Sequence, residues 1–218
     1  MYHNLHSPSE HRRRRWRRIR VAAALAACAF FASLCSFQAR CAGIRREVLR
    51  LHVIANSDSD LDQRAKLYVR DELLRAGAAL FDGSINAASA EAAIAPRVPE
   101  LERCAQKALL AFGLNYPVRV EVGEDYFPTR VYEEAGVTLP AGRYQAVRVI
   151  LGGGEGRNWW CVMFPPLCLP AARARRPVAL DALFTGGQLR VLRSNPKVEI
   201  RFKIVELWEG LLERLRQS

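Results

Sequence analysis

Histidine is scarce in this sequence, and its scarcity excludes several kinds of chemistry. Of the four histidines, only His52 follows the first eleven residues. A zinc site built on two or three histidines therefore cannot form in the body of the chain, and no C-x-x-C pair is present to supply thiolate ligands instead. A Ser-His-Asp triad would have to use His52, and the sequence contains no G-x-S-x-G motif. We predict no catalytic, cofactor-binding or metal-binding residues.

Two patterns that resemble ligand-binding loops are incomplete. The glycine run 152–156 has Arg157 where a dinucleotide fingerprint needs its third glycine, and a strand rather than a helix is predicted after it. The aspartates at 58, 60 and 62 resemble the start of a calcium loop, but Gln63 and Val69 stand where that loop needs glycine and glutamate. The first pattern therefore predicts a hairpin loop, and the second predicts the capped start of a helix.

The positive charge is unevenly distributed. The whole chain carries a net charge of +11, and seven arginines lie between Arg12 and Arg20. From Ile44 onward there are 25 basic and 21 acidic residues, so the body of the chain is close to balanced. No basic motif interleaved with aromatic residues occurs there, and we therefore predict no nucleic-acid partner.

The segment after these arginines is apolar. Val21–Phe37 has no charged residue and follows a basic flank, which is the order found in signal peptides and signal anchors. Its length is near the lower limit of about 17–25 residues for a membrane-spanning helix. The sequence leaves cleavage, retention as an anchor and lipid attachment at Cys28 open as alternatives. We predict a cytoplasmic flank with an export segment over residues 1–43, and an exported domain over residues 44–218.

Periodicity predicts one α+β domain after the export segment. Alternating or continuous apolar residues predict strands at about 49–55, 118–122, 145–151 and 159–164. The last of these is an unbroken apolar run, which is typical of a central strand. Helical spacing predicts helices beginning near Asp60, spanning about Pro99–Phe112, and following Asn195-Pro196. We expect a small mixed or antiparallel sheet packed by about three helices, and residues 171–195 are predicted to be a surface loop or insertion.

The final helix is predicted to be amphipathic. Its apolar residues recur at helical spacing, and they are Ile204, Leu207, Trp208, Leu211, Leu212 and Leu215.

The cysteines beyond the apolar segment leave two alternatives open. Cys161 and Cys168 are spaced to close a short disulfide loop, which an exported protein permits. They could instead be two free thiols in an apolar run, since free cysteine behaves as a small apolar residue.

Two consecutive tryptophans lie in the fourth predicted strand. Trp159 and Trp160 must point to opposite faces of the sheet. One could enter the core while the other is exposed as an anchor for a partner, or both could be packed beneath helices. His52 points away from Leu51 and Val53, and we expect it to be a hydrogen-bonded structural histidine rather than a catalytic one.

Four segments together resemble the stage II sporulation protein R family of endospore-forming bacteria. They read RLHVIANSDSD (Arg50–Asp60), KLYVRDEL (Lys66–Leu73), GRYQAVRVILGGGEGRNWWCVMFPPL (Gly142–Leu167) and FKIVEL (Phe202–Leu207). Their order and spacing match the family, and the resemblance covers most of residues 44–218. The stretch 171–195 departs from the family pattern.

The resemblance implies a signalling role. Members of this family are made in the forespore, cross its membrane into the space between forespore and mother cell, and there activate a membrane-embedded aspartic protease of the mother cell. That protease removes the pro-segment of the sigma-E precursor. The resemblance thus implies a ligand of the protease rather than an enzyme, and the apolar segment Val21–Phe37 is expected to be its contact with the membrane.

The segments that carry the resemblance contain the candidate partner contacts. We predict that these contacts are His52, Asn56, Ser57, Asp58, Asp60, Trp159 and Trp160. The rival prediction is a cell-envelope hydrolase that uses carboxylates as acid and base. Its candidate residues are Asp58, Asp60 and the pair Glu124-Asp125.

Overall fold

The structure, a computed structural model, describes residues 8–80, 86–165, 167, 180–194 and 200–217. The chain divides into two compact units, residues 1–39 and residues 40–218. The described part of the first unit is helical throughout, and its helix α1 (Pro8–Arg46) continues into the first residues of the second unit. By length and composition alone, Arg12–Arg46 is long and apolar enough to cross a membrane. This finding fits the predicted signal or anchor segment.

The second unit contains a four-stranded sheet and a hairpin. The strands are β1 (Leu49–Ile54), β2 (Val118–Phe127), β3 (Arg130–Tyr132), β4 (Val137–Leu139), β5 (Gly142–Leu151) and β6 (Asn158–Phe164). The sheet has the order β2–β5–β1–β6, and β3 pairs with β4 separately. β1 is parallel to β5 and antiparallel to β6, and β2 is antiparallel to β5. The sheet is therefore mixed, and the predicted α+β fold class is confirmed.

Six helices follow α1 in the part of the chain that the structure describes. They are α2 (Asp60–Leu80), α3 (Ala87–Ile94), α4 (Val98–Ala111), α5 (Leu180–Leu183), α6 (Gly186–Leu192) and α7 (Ile200–Gln217). The prediction of a loop was wrong for 180–194, where a capping box of Thr185 and Gln188 begins α6. The predicted cap Asn195-Pro196 lies outside the described residues.

One face of the sheet, called the helical face, carries the main core, and the opposite face is called the second face. Alternate residues of β1, namely Leu49, Leu51 and Val53, are fully buried with Ala65, Val69 and Leu73 of α2. Residues of α3 and α4 complete this cluster, and Leu101 and Ala105 belong to it. The alternation of strand residues and the four-residue spacing of helix residues thus meet at one apolar layer. Three helices cover this face: α2 and α4 were predicted, whereas α3 was not among the predicted helices.

The strand β6 lies at an edge of the sheet, so its prediction as a central strand was wrong. Its last four residues, Cys161–Phe164, are nevertheless buried. A continuous apolar run shows only that both faces of a strand are covered, and this can happen at an edge as well as in the middle. Sequence periodicity cannot distinguish the two positions.

Candidate functional site

Two loops that are distant in sequence meet at one end of the sheet. The first loop, Asn56–Asp60, follows β1, and the second loop, Gly152–Arg157, connects β5 to β6. Because Ile54 pairs with Ile150 in β5 and with Asn158 in β6, β1 and β5 end together where β6 begins. We name the two loops and residues 158–160 the loop end. This register brings most of the predicted contact residues together.

Hydrogen bonds join the two loops directly. The Asn56 side chain accepts one at Oδ1 from the N–H of Gly153 at 2.9 Å, and Asp58 Oδ1 accepts another from the N–H of Arg157 at 2.7 Å. The N–H of Gly156 donates to the Ala55 carbonyl at 2.9 Å. A Cβ on Gly156 would lie 2.2 Å from the Ser57 carbonyl oxygen, so only glycine permits this approach. The loops therefore form one surface.

The carboxylate of Asp62 holds the first loop to the start of α2. It accepts hydrogen bonds from Asn56 Nδ2 at 3.0 Å, from the Ser57 hydroxyl at 2.6 Å and from the Tyr116 hydroxyl at 3.0 Å. The hydroxyl of Ser59 in turn accepts from the N–H of Asp62, as a helix cap does. Burial opposes ionisation of Asp62, but these hydrogen bonds outweigh it, and the pKa of the carboxyl is lowered.

Lys66 of α2 is hydrogen-bonded to the second loop. Its Nζ donates to the Arg157 carbonyl at 2.8 Å and to Gln63 Oε1 at 2.7 Å. Burial lowers the pKa of Lys66, and the positive charge of Arg157 lowers it further. Polar residues of the first loop and of α2 therefore have a structural role in fixing the loop end. Their role as partner contacts stays a prediction.

The two tryptophans lie on opposite faces of the sheet, as their adjacency in a strand requires. Trp159 lies on the helical face, where the Arg70 guanidinium is 4.5 Å from its ring centroid, and 37% of the residue is exposed. Trp160 lies on the second face, between the His52 ring at 5.8 Å and the Arg130 guanidinium at 4.3 Å. Trp159 is thus the more accessible of the two to a partner.

His52 is hydrogen-bonded at both ring nitrogens on the second face. Nδ1 is 2.5 Å from Asp125 Oδ2, and Nε2 is 2.9 Å from Asn158 Oδ1. Burial opposes ionisation of Asp125, but the hydrogen bond and charge of His52 lower the pKa of this carboxyl. His52 is 8% exposed, which fits the expected structural histidine. Asp125 was a candidate of the rival hydrolase and Asn158 had no signal in the sequence, and the contact of either residue with His52 was not predicted, because only the strand register brings them together.

Arg50, also on the second face, is a fully buried cation. Its Nε donates to the Cys161 carbonyl at 2.9 Å, and Nη2 donates to the Tyr132 hydroxyl at 2.7 Å. The guanidinium carbon lies 4.2 Å from the Phe127 ring centroid and 4.9 Å from that of Tyr144. Burial lowers the pKa of Arg50. The second face is therefore closed around Arg50 by aromatic rings, one of them from the β3–β4 hairpin.

The carboxylates of the rival hydrolase prediction have protein partners. Asp58 binds the N–H of Arg157, Asp125 contacts His52, and Glu124 forms an ion pair with Arg143 at 3.2 Å. Asp60 is exposed in the first turn of α2. Among the described residues, no group of three or more His, Cys, Asp or Glu side chains could hold a metal ion. Among the described residues, His52 and Asp125 form a hydrogen-bonded pair of the kind that acid–base chemistry uses.

Cys161 is disulfide-bonded. Its predicted partner, Cys168, lies outside the described residues. Of the two alternatives that the sequence left open, the free thiol is therefore excluded for Cys161. The Cys161 side chain belongs to the apolar core on the helical face, together with Leu51 and Val53, so the covalent link lies on that side of β6. The Cys161 carbonyl accepts from Arg50 Nε.

Comparisons with known proteins match the part of the chain that builds the loop end. The family described as Stage II sporulation protein R matches residues 45–174. The Stage II sporulation protein R of Bacillus subtilis (strain 168) is 36% identical over 122 residues, which are 56% of this chain and 54% of that protein. The chain thus spans about half the length of this curated relative. No solved structure gives a significant match.

Proposed function

The chain belongs to the stage II sporulation protein R family, and from this premise we propose that it is an exported signal between the two cells of a sporulating bacterium. It crosses the forespore membrane and activates a membrane-embedded aspartic protease of the mother cell, which then processes the sigma-E precursor. A role in sporulation follows from the family. We further propose that the chain is exported, that it activates this protease, and that the sigma-E precursor is the substrate of the protease.

The amino-terminal helix supports export. Seven arginines lie between Arg12 and Arg20, near the start of α1. The apolar segment Val21–Phe37 follows them within a helix long enough to cross a membrane. A basic flank is held on the cytoplasmic side of a membrane, so the residues after the apolar segment emerge on the opposite side. The domain that carries the loop end would then lie in the intermembrane space.

The loop end is the surface that we propose contacts the protease. It combines an exposed aromatic residue, Trp159, with the exposed charges of Asp58 and Arg157. Aromatic and arginine side chains contribute most of the binding energy in many interfaces, and loops on a rigid scaffold are common sites of binding. Binding activates the protease only if the loop end has a higher affinity for the active state than for the inactive one.

The observation that carries this proposal is the bonding of two separate family segments into one exposed surface. The test compares Trp159→Ala and Asp58→Asn with the parent chain in cells that contain the protease and the sigma-E precursor. Asn keeps an oxygen for the N–H of Arg157 and removes only the charge. Leu110→Ala is the matched control, because Leu110 is 51% exposed on α4 and belongs to neither loop.

We expect both loop-end variants to reduce precursor processing while exported protein stays at the parent level, and Leu110→Ala to process normally. Normal processing by both loop-end variants would refute this contact surface.

The rival hydrolase is tested separately with Asp125→Asn, which removes the carboxylate beside His52. Processing that persists in this variant excludes an enzyme built on that pair.

Export is tested on the mature protein itself. The mass of the amino-terminal peptide recovered from sporulating cells distinguishes a cleaved signal, a retained anchor and a lipid on Cys28. A chain that stays wholly in the forespore cytoplasm, detected by protease protection, would contradict the export step and leave family membership unaffected.

A further inference from the structure

Helix α7 presents an apolar stripe to the outside of the molecule. The stripe consists of Ile200, Ile204, Leu207, Trp208, Leu211 and Leu215. Leu207 is 74% exposed, Leu215 is 66% exposed and Trp208 is 55% exposed. The sequence predicted five of these six residues, all except Ile200, as one face of an amphipathic helix, whereas Leu212, predicted with them, is half-buried. The exposure of this stripe indicates an interaction surface, because a contiguous apolar patch on a folded domain is typical of a site that binds a partner or a membrane.

The opposite side of α7 holds the helix on the domain. Phe202 and Val205 are buried there. One and two turns further on, Glu209 forms an ion pair with Arg45 at 3.1 Å, and Glu213 forms one with Arg143 at 2.9 Å. The stripe therefore does not pack into the core, because the opposite face of α7 makes the contacts that hold the helix on the domain.

Charge is also divided between the two sides of α7. The inward carboxylates of Glu209 and Glu213 are largely buried in ion pairs with arginines of the domain. The exposed charges include Lys203, Arg214 and Arg216. Lys203 pairs with Glu206. Arg214 follows Leu207 by seven residues and therefore lies at the rim of the stripe. Arg216 follows the inward Glu209 by seven residues and therefore lies on the other side of the helix. The outward side of the helix is consequently apolar in its centre and basic at its end.

The contact with Arg45 places α7 beside the residues that follow the apolar segment. Arg45 belongs to the unit that begins at residue 40, and Val21–Phe37 ends three residues before that unit starts. Its Nη1 also donates to the Ala141 carbonyl at 2.9 Å, so this stretch is held firmly to the domain. Only Gln38 and Ala39 separate the apolar segment from the unit that contains α7, so a chain tethered by that segment has few residues between the membrane and this unit.

We propose that the outward face of α7 lies in the surface of an anionic phospholipid bilayer, with the apolar stripe among the acyl chains and the basic residues at the headgroups. A helix with leucine and tryptophan on one face and arginine beside them is typical of interfacial helices. Anionic headgroups attract the basic rim. Pairing two copies with their α7 helices parallel would bring two basic ends together, and an antiparallel pair is the alternative that discs with two copies test.

Fluorescence of the full chain in nanodiscs tests this placement. One copy per disc is reconstituted in phosphatidylcholine, with and without phosphatidylglycerol, using lipids brominated on the acyl chains. The chain has four tryptophans, so the contribution of Trp208 is the difference between the parent chain and Trp208→Phe. Trp159→Phe is the matched control, since Trp159 is also exposed but lies at the loop end against Arg70.

We expect bromine to quench a part of the parent emission that is lost in Trp208→Phe and kept in Trp159→Phe. This quenching should increase with phosphatidylglycerol. Arg214→Gln should reduce the increase, whereas Arg216→Gln, on the other side of the helix, should keep it. Leu207→Glu/Leu211→Glu should abolish the quenching of Trp208 without unfolding α7, because both positions are exposed. Equal quenching of the parent and Trp208→Phe overturns the proposal, and so does shielding of Trp208 that occurs only in discs with two copies.

Discussion

Asp58 and Arg157 are 99 residues apart in the chain, yet the carboxylate of Asp58 accepts a hydrogen bond from the backbone N–H of Arg157 at 2.7 Å. The bond connects the loop after β1 to the loop before β6. Because the acceptor is a side chain and the donor is backbone, the contact depends on the identity of residue 58 and on the path of the second loop. Changes in either loop should therefore affect the same surface.

Gly156 should be a sensitive position of the loop end. A methyl group at Gly156→Ala would meet the Ser57 carbonyl group at 2.2 Å, and that group belongs to the backbone, which cannot simply rotate away. We expect the variant to lower the free energy of unfolding by about 1–3 kcal/mol and to reduce precursor processing. Urea unfolding of the chain in detergent micelles measures the first effect.

The control for this prediction is Gly123→Ala in β2, where an added Cβ has no atom within 4 Å. Its stability should stay within about 0.5 kcal/mol of the parent. Equal stability of the two variants would show that the loops separate without cost.

Asp62→Asn should loosen the first loop. The carboxylate of Asp62 accepts from Asn56, Ser57 and Tyr116, and an amide offers a single acceptor oxygen to these three donors. We expect a loss of about 1–3 kcal/mol in the free energy of unfolding, together with faster amide hydrogen exchange in residues 56–59. Asp60→Asn, at an exposed position of the same helix turn, is the control and should change neither quantity.

Acid should destabilise the domain through Asp62 and Asp125. Both have pKa values lowered from 3.8 in the folded chain, so the unfolded chain binds their protons first as the pH falls. Their contribution to stability is complete above the unfolded value and is lost as the pH falls through the folded values. The free energy of unfolding, measured from pH 6 downwards, should decrease below about pH 4, and less steeply in Asp62→Asn or Asp125→Asn. An unchanged slope in both variants would contradict this account.

Arg50 should tolerate an apolar substitution better than a conservative one. Arg50→Lys keeps a buried charge but cannot donate to both Cys161 and Tyr132 in the geometry of a guanidinium, and we expect it to lose about 3 kcal/mol of stability. Arg50→Met removes the charge and keeps contact with the rings of Phe127 and Tyr144, at a loss of about 1–2 kcal/mol. Guanidinium chloride unfolding gives the order, and a more stable lysine variant would contradict it.

Local patterns sufficed for much of the fold. The four-residue spacing of Leu61, Ala65, Val69 and Leu73 predicts one buried side of α2. The last three are fully buried there, but Leu61 is 41% exposed. Alternation located β1, β2 and β5 because one of their faces is apolar. The hairpin β3–β4 was not predicted, since three-residue strands are too short to show a period.

The candidate site was predicted only in part. The sequence indicated the polar loop Asn56–Asp60 and the tryptophan pair, because both lie in segments that resemble the family. It did not indicate that Gly152–Arg157 binds this loop, or that Asp125 and Asn158 meet His52. These contacts depend on which residue of one strand is opposite which residue of the next, and register is a property of the assembled sheet.

By itself, the sequence determined the charge-flanked apolar segment, the α+β class and the family, since these depend on composition and on patterns within single segments. Only the tertiary structure decided which tryptophan lies on the helical face and which on the second face, and that the stripe of α7 is turned outward. Periodicity defines the apolar face of an element but does not define the direction in which it points. That direction depends on which face makes the stronger contacts, and in α7 these are the buried Phe202 and the ion pairs of Glu209 and Glu213.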